Sequence, residues 1–384
     1  MACHVKKVEL RPWLVQPRNK TPQSKTENII VKVLKVLDPH YTKKKVEQRL
    51  QKRLRKDTTN VLKAFKQMRR LEEYTIDWDG SSDHHPEFFK AFLAPALENW
   101  SGQLVRLTVK VPPRMLDALA RVRLPKLETF VYHFCTGELS SKAIANTHDG
   151  FIVFLNNLKD SLESLSFIST YTSQELDVSR IIRKIGHFPL LGKVTLSIPF
   201  DGGHLSDPMT FVRFLAKHRS TLREINLFTS RCCLRSKPGD PEYINWLQKI
   251  IGSVDAPFPR LHSLAVALRP LRAPLDALTD FLNLHASTLD SVVLTERALV
   301  SHELSKLFSY DDPVNPPASS LEMLQFKTNV FSPSFLATLA EIFPKLKTLR
   351  VECNKIVVHE PVRQRNLKHD NVSFSLYRGM DYWF

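Results

Sequence analysis

A chain of 384 residues exceeds the ~250–300 residues at which a single closed core stops growing, so two domains or an elongated array are expected. Hydrophobic residues at 43% and charged residues at 24% exclude global disorder; with no run of ~18–20 apolar residues and no apolar signal core in MACHVKKVELRPW, a cytoplasmic or nuclear protein without membrane association is expected. The net charge of +16 sits at one end: residues 1–70 hold 20 Lys and Arg against 5 Asp and Glu, while the remainder holds 35 against 34.

HVKKVEL places Val5, Val8 and Leu10 as a degraded strand, and the polar QPRNKTPQSKTEN reads as loop. Beyond it, Val46, Leu50, Leu54, Val61, Phe65 and Met68 follow a helical stripe, with a break expected near Thr58–Thr59. Lys43, Lys44, Lys45, Arg49, Lys52, Arg53, Arg55 and Lys56 on this segment are candidate contacts to a polyanion. The plainer alternative is a helical cap that covers the first repeat while its lysines face water. Few aromatic residues accompany these charges, which argues against stacking on single-stranded bases.

From residue 71 a hexad L-x-x-L-x-L recurs. Its copies are Leu71-Tyr74-Ile76, Leu104-Leu107-Val109, Leu127-Phe130-Tyr132, Leu162-Leu165-Phe167, Leu191-Val194-Leu196, Leu222-Ile225-Leu227, Leu261-Leu264-Val266, Leu289-Val292-Leu294, Leu321-Leu324-Phe326 and Leu346-Leu349-Val351. Starts lie 23 to 39 residues apart, a period that marks a solenoid. The fourth and sixth positions are two residues apart, so both point to one face of a strand; polar residues between them make the strand half-buried. Two interleaved phrases surround the hexads, FP (Phe188, Phe258, Phe343) and STL (Ser220, Ser287).

Between hexads the period becomes helical. Leu275, Leu278, Phe281, Leu282 and His285 form one stripe; Met209, Val212, Phe214 and Leu215 form another, less tidily. Asp207-Pro208, Asp240-Pro241 and Ser332-Pro333 each offer a capping oxygen followed by a proline at the first helical position. TSRCCLRSKPGDPE and YDDPVNPPASS read as surface loops. The expected organisation is residues 1–70 as a basic segment with a degraded repeat and helical cap, 71–358 as the repeat array, and 359–384 as a tail. The expected fold is an α/β leucine-rich-repeat solenoid of about ten irregular units, parallel strands on the concave face and helices outside.

No residue pattern announces chemistry. DWDGSSDHHPE lacks calcium-loop spacing, and FDGGHLSDP lacks the lysine and glycine spacing of a phosphate loop. His262 and His285 read as structural. The five cysteines form no C-x-x-C pair and read as reduced packing thiols. No nucleophile elbow, zincin or dinucleotide motif occurs, so no enzyme, cofactor or metal is expected. The expected binding surface is the outward side of the strands: Glu73, Thr75, Asp77, Arg106, Thr108, Lys110, His133, Lys193, Thr195, Glu224, Asn226, Phe228, Gln325, Lys327 and Arg350. Its mixed charge suits a protein partner better than a polyanion.

The hexads, with FPRLHSLAVALRPLRAPLDALTDFLNLHASTLDSVVL as their clearest stretch, resemble the irregular repeats of fungal F-box/leucine-rich-repeat proteins. The likeness covers residues 4–15 and 71–358. It implies a protein–protein interaction scaffold similar to the substrate-recognition repeats of F-box ubiquitin-ligase receptors. In that family an N-terminal F-box docks on a ligase adaptor. No L-P-x-E-type helix opening precedes the repeats here, so an adaptor partner is implied only if an F-box is encoded upstream. The alternative expectation is a nucleic-acid-associated protein that binds through the basic N-terminal segment.

Overall fold

The computed structural model describes residues 4–11, 41–78, 86–111, 113–134, 141–169, 177–199, 204–230, 245–269, 271, 275–308, 320–357 and 373–378. The chain is an α/β solenoid of parallel strands with helices between them. It divides into two compact units, one of residues 1–128 with 135–158, the other of 129–134 with 159–384.

The first unit holds strands β1 (Lys7–Leu10), β2 (Glu73–Asp77) and β3 (Arg106–Val111), paired in parallel in that order. Its helices are α1 (Tyr41–Gln67), α2 (Pro86–Asn99), a 3-10 helix (Pro113–Leu119) and α3 (Ser141–Asn157). The part of the basic segment from Tyr41 to Gln67 is therefore helical. Its expected break is not there: α1 runs through Thr58 and Thr59 without interruption. The Thr59 hydroxyl donates to the Arg55 carbonyl at 2.8 Å, a bond that lets threonine sit inside a helix. The lower half of α1 covers the repeat edge as a cap would. Phe65 is buried, its ring 4.8 Å from Trp100, 5.8 Å from Phe92 and 6.3 Å from Tyr74. The Trp100 indole donates to the Phe65 carbonyl at 3.3 Å.

Among the described residues the second unit is an open sheet of nine parallel strands in chain order. They are β4 (Thr129–Phe134), β5 (Ser164–Ser169), β6 (Lys193–Pro199), β7 (Glu224–Ser230), β8 (Ser263–Ala267), β9 (Ser291–Ala298), β10 (Met323–Phe331), β11 (Thr348–Ile356) and β12 (Ser373–Arg378). Helices α4 (Val178–Lys184), α5 (Pro208–Lys217), α6 (Trp246–Gly252), α7 (Asp276–Leu284), α8 (Ser301–Phe308) and α9 (Pro333–Ile342) lie side by side in chain order. Strand β12 lies in the stretch read as a tail; Phe374 and Leu376 pair with Leu349 and Val351 and so repeat the hexad spacing.

The sheet register is the register of the repeat. Val8, Tyr74 and Leu107 are successive partners, as are Leu165, Val194, Ile225, Leu264 and Val292. Each is a fourth hexad position. The physical reason is one shared backbone device. The carbonyl of the second hexad residue accepts two N–H groups, from the second and third residues of the next hexad. Lys6 serves Glu72 and Glu73, Gly192 serves Arg223 and Glu224, His262 serves Asp290 and Ser291, and Glu322 serves Lys347 and Thr348. A one-residue slip would turn every inward leucine outward. All hexad leucines, valines and aromatics from Leu71 to Val351 are buried except Leu346, which is half-buried.

The helix stripes hold with one correction. Leu275, Leu278, Phe281, Leu282 and His285 are all buried. On α5, Met209 is exposed instead, and Phe211 fills the core beside Val212, Phe214 and Leu215. The caps differ in kind. The Ser332 hydroxyl accepts the Phe335 N–H at 3.2 Å. Asp207 makes no side-chain cap bond; its backbone carbonyl accepts the Thr210 N–H at 3.1 Å, and its carboxylate takes the Thr210 hydroxyl at 2.5 Å, Arg213 at 3.1 Å and Arg183 at 3.2 Å. The Thr210 hydroxyl, with the two guanidinium groups, holds the Asp207 carboxyl below its ordinary value. Asp240-Pro241 and most of the two loop phrases lie outside the described residues. Cys353 is buried and unbridged, and burial raises its thiol.

Candidate functional site: the outward face of the parallel strands

Alternation along each strand sends the third, fifth and seventh hexad positions to the side opposite the core. The parallel register then aligns these positions into rows, because identical positions face each other across the strand pairs, up to the register shift late in β9. All fifteen residues read as outward-facing lie on such rows.

In the first unit the third-position row is Lys7, Glu73 and Arg106, and the fifth is Glu9, Thr75 and Thr108. The seventh brings Asp77 beside Lys110. Opposite charges meet across strands: Lys7 is 3.4 Å from Glu73, and Asp77 lies 3.0 Å from Lys110 and 3.9 Å from Arg11. Arg11 also pairs with Glu9. Lys7, Glu9, Arg11 and Arg106 are exposed; Glu73, Thr75, Asp77, Thr108 and Lys110 are half-buried by their row neighbours.

In the second unit His133 lies opposite Ile168, Lys193 opposite Glu224, Thr195 opposite Asn226 and Phe228 opposite Ser197. Lys193 and Glu224 form an ion pair at 2.7 Å. The Asn226 amide donates to Glu224 at 2.8 Å and to the Thr195 hydroxyl at 3.2 Å, which joins four outward residues into one network. Further along, Gln325 faces Arg350 and Lys327 faces Glu352, the latter pair 2.7 Å apart. Asn329 and Asn354 continue the ladder at 3.2 Å. Exposed ion pairs of this sort stabilise by only ~0–1 kcal/mol each, so their main effect is on the potential of the surface. They leave it close to neutral and rich in donors and acceptors.

The face is not uniformly open. Asn226 is only 7% exposed, and the outward Ser166, Ala265 and Ala267 are buried too. The open stretch is β10–β11, where Arg350, Glu352 and Asn354 are exposed and Ile356 is 49% exposed. Sequence reading named Gln325, Lys327 and Arg350 there. It passed over Glu352, which holds the same seventh position as the named Lys327, and over Asn329, Asn354 and Ile356, which lie beyond that position because β10 and β11 run nine residues each.

A second feature had no sequence signal. Against β10, the register of β9 jumps from Val293–Gln325 to Ala298–Lys327. Within this bulge Glu296 adopts φ 70°, costly by roughly 1–2 kcal/mol for a residue with a side chain. The turned backbone carries its carboxylate back over the end of β8. There the Thr229 hydroxyl of β7 donates to it, and Arg269 stands 4.0 Å away.

Of the polyanion candidates, Lys52, Arg53, Arg55 and Lys56 are exposed on α1; Lys43, Lys44, Lys45 and Arg49 lie on the same helix with side chains outside the described residues. Gly80, His84, His85 and the Gly202–Gly203 pair also lie outside them. Among the described residues no three His, Cys, Asp or Glu side chains converge as a metal site would require, and no helix is long and apolar enough to cross a membrane.

Comparison with protein-family models and with curated proteins returned no match.

Proposed function

We propose that this chain is a protein-interaction scaffold whose recognition surface is the outward face of its parallel strands, with β10–β11 as its most accessible part. The observation that carries this reading is the pairing of charge across strands. Lysines of the face stand against carboxylates, as in Lys193–Glu224 at 2.7 Å, Lys327–Glu352 at 2.7 Å and Lys110–Asp77 at 3.0 Å. A surface neutralised within itself does not attract a polyanion. It offers orientation-specific hydrogen bonds, with Ile356 as an apolar contact at one end, which is the make-up of a protein interface.

The resemblance to F-box/leucine-rich-repeat proteins supports a narrower form of the proposal, in which the bound protein is a substrate held for ubiquitin transfer. In that form an F-box supplies the adaptor contact.

A photo-crosslinking amino acid at Gln325 tests the surface. The expected result is a specific cross-linked protein that disappears when Lys327→Glu and Arg350→Glu are combined. No cross-linked protein, or one unaffected by the charge reversal, removes the proposal. Co-purification of a ligase adaptor with the chain tests the narrower form separately.

A further inference from the structure

Helix α1 uses its two sides differently. At ~100° per residue, Val61, Phe65 and Met68 fall on one side, and that side is committed. Phe65 is 4% exposed against Tyr74, Phe92 and Trp100, and the Gln103 amide donates to the Met68 carbonyl at 3.1 Å. The same geometry puts Lys52, Lys56, Lys63 and Lys66 within about a quarter turn of one another on the far side. All four are exposed. Arg53 is engaged by Asp57 at 3.8 Å, but none of these four lysines has a carboxylate partner among the described residues. That contrasts with the lysines of the strand face. Like charges at i,i+4 and i,i+3 spacing, as in Lys52–Lys56 and Lys63–Lys66, cost a few tenths of a kcal/mol each in the free helix. Nothing within the described fold offsets that repulsion.

We infer that this side of α1 is a second interface, separate from the strand face, and that it takes the phosphate backbone of double-stranded nucleic acid. From Lys52 to Lys66 the row extends ~21 Å along the helix axis, about six phosphate intervals of one strand. The contact is to phosphates and not to bases, because the row consists of lysines with no aromatic side chain among them to stack. A membrane surface is the poorer partner. A helix lying in a membrane inserts its apolar side, and here that side is occupied by the Tyr74–Phe92–Trp100 cluster.

The test is binding of the full chain to a labelled random-sequence duplex across a sodium chloride series, with phosphatidylserine vesicles in parallel. The wild type should bind the duplex with log K falling linearly against log salt, at ~0.9 per phosphate contact. Replacing Lys52, Lys56, Lys63 and Lys66 together by Gln should flatten that slope by roughly 3–4 and weaken binding roughly 100-fold or more at 0.1 M salt. Glutamine matches lysine in helix propensity, so the circular dichroism of the variant should be unchanged. The quadruple Lys→Arg variant should keep the wild-type slope, which guards against a folding defect. An unchanged slope in the Gln variant overturns the inference, as does binding to vesicles without binding to the duplex.

Discussion

The buried ring of His218 accepts the backbone N–H of Phe188 through Nε2 at 3.0 Å, while its Nδ1–H donates to the Phe214 carbonyl at 2.8 Å. His285 repeats the arrangement with Phe258 at 3.0 Å and Phe281 at 2.7 Å. Each ring also stacks on the phenylalanine whose N–H it accepts, at centroid distances of 5.8 Å and 5.4 Å. Each histidine stands just before an x-S-T-L phrase, and the threonine hydroxyl donates back to the histidine carbonyl at 3.1 Å and 3.2 Å. The two interleaved phrases are thus partners: the histidine ahead of STL in one repeat clamps the FP turn of the repeat before it.

The clamp requires a neutral imidazole, because protonation would aim a second N–H at the phenylalanine N–H. Burial, chiefly, with smaller contributions from the stacked His187 and from Lys217, lowers His218 from about 6.5 to about 4. His285 is lowered by the same cause. Above pH 6.5 the ring is neutral both folded and unfolded, so the contribution is fully present. Below 6.5 the unfolded chain takes up the proton first, and stability declines as pH falls toward 4. Urea midpoints should drop steadily from pH 7.5 to 4.5, and His218→Gln should shallow that decline. An equal pH slope in the variant would refute the assignment.

Loss of the second clamp should be felt even at neutral pH. His285→Ala leaves the buried Phe258 N–H and Phe281 carbonyl without partners and opens a cavity. A cost of roughly 2–4 kcal/mol is expected in chemical denaturation. His262→Ala, exposed just ahead of β8, serves as the control and should cost less than ~1 kcal/mol.

Hexad positions should grade by burial. Leu264→Ala, at 1% exposure, is expected to cost ~2–5 kcal/mol, and its outward neighbour Ser263→Ala within about 0.5 kcal/mol. Leu346→Ala should cost less than Leu261→Ala, although the two leucines hold the same hexad position, because Leu346 is half-buried. Thermal unfolding of the four variants checks the order.

Gly150→Ala should destabilise, although alanine is the better helix former by ~1 kcal/mol. A Cβ at Gly150 of α3 would lie 2.8 Å from the Cα of Asp117 on the 3-10 helix, and backbone cannot move aside as a side-chain tip can. Overpacking of this kind costs roughly 1–3 kcal/mol, which exceeds the propensity gain. A rise in melting temperature would contradict the close approach.

Ser332→Ala removes the one hydroxyl that caps α9 and should cost about 1 kcal/mol. Restoration of the wild-type urea midpoint by Ser332→Asp would identify the cap as the cause.

The sequence by itself determined the strands from β1 to β11 and their order. Leucine-led hexads such as Leu191-Val194-Leu196 carry their meaning locally, since a period of two fixes which side chains share a face, and repetition at similar spacing forces like positions into register. The fifteen outward residues were legible for the same reason. What lay beyond the seventh position was not: Asn354 and Ile356 join the face only because β11 extends past it, and β12 pairs with β11 in a stretch that carries no leucine-led hexad. Nor could the sequence show the Glu296 turn, the Gly150 approach or the pairing of His218 with Phe188. Each joins residues that are tens of positions apart or backbone whose course is set by neighbours. Local pattern specifies which way a side chain points, and only the packed chain decides what it meets there.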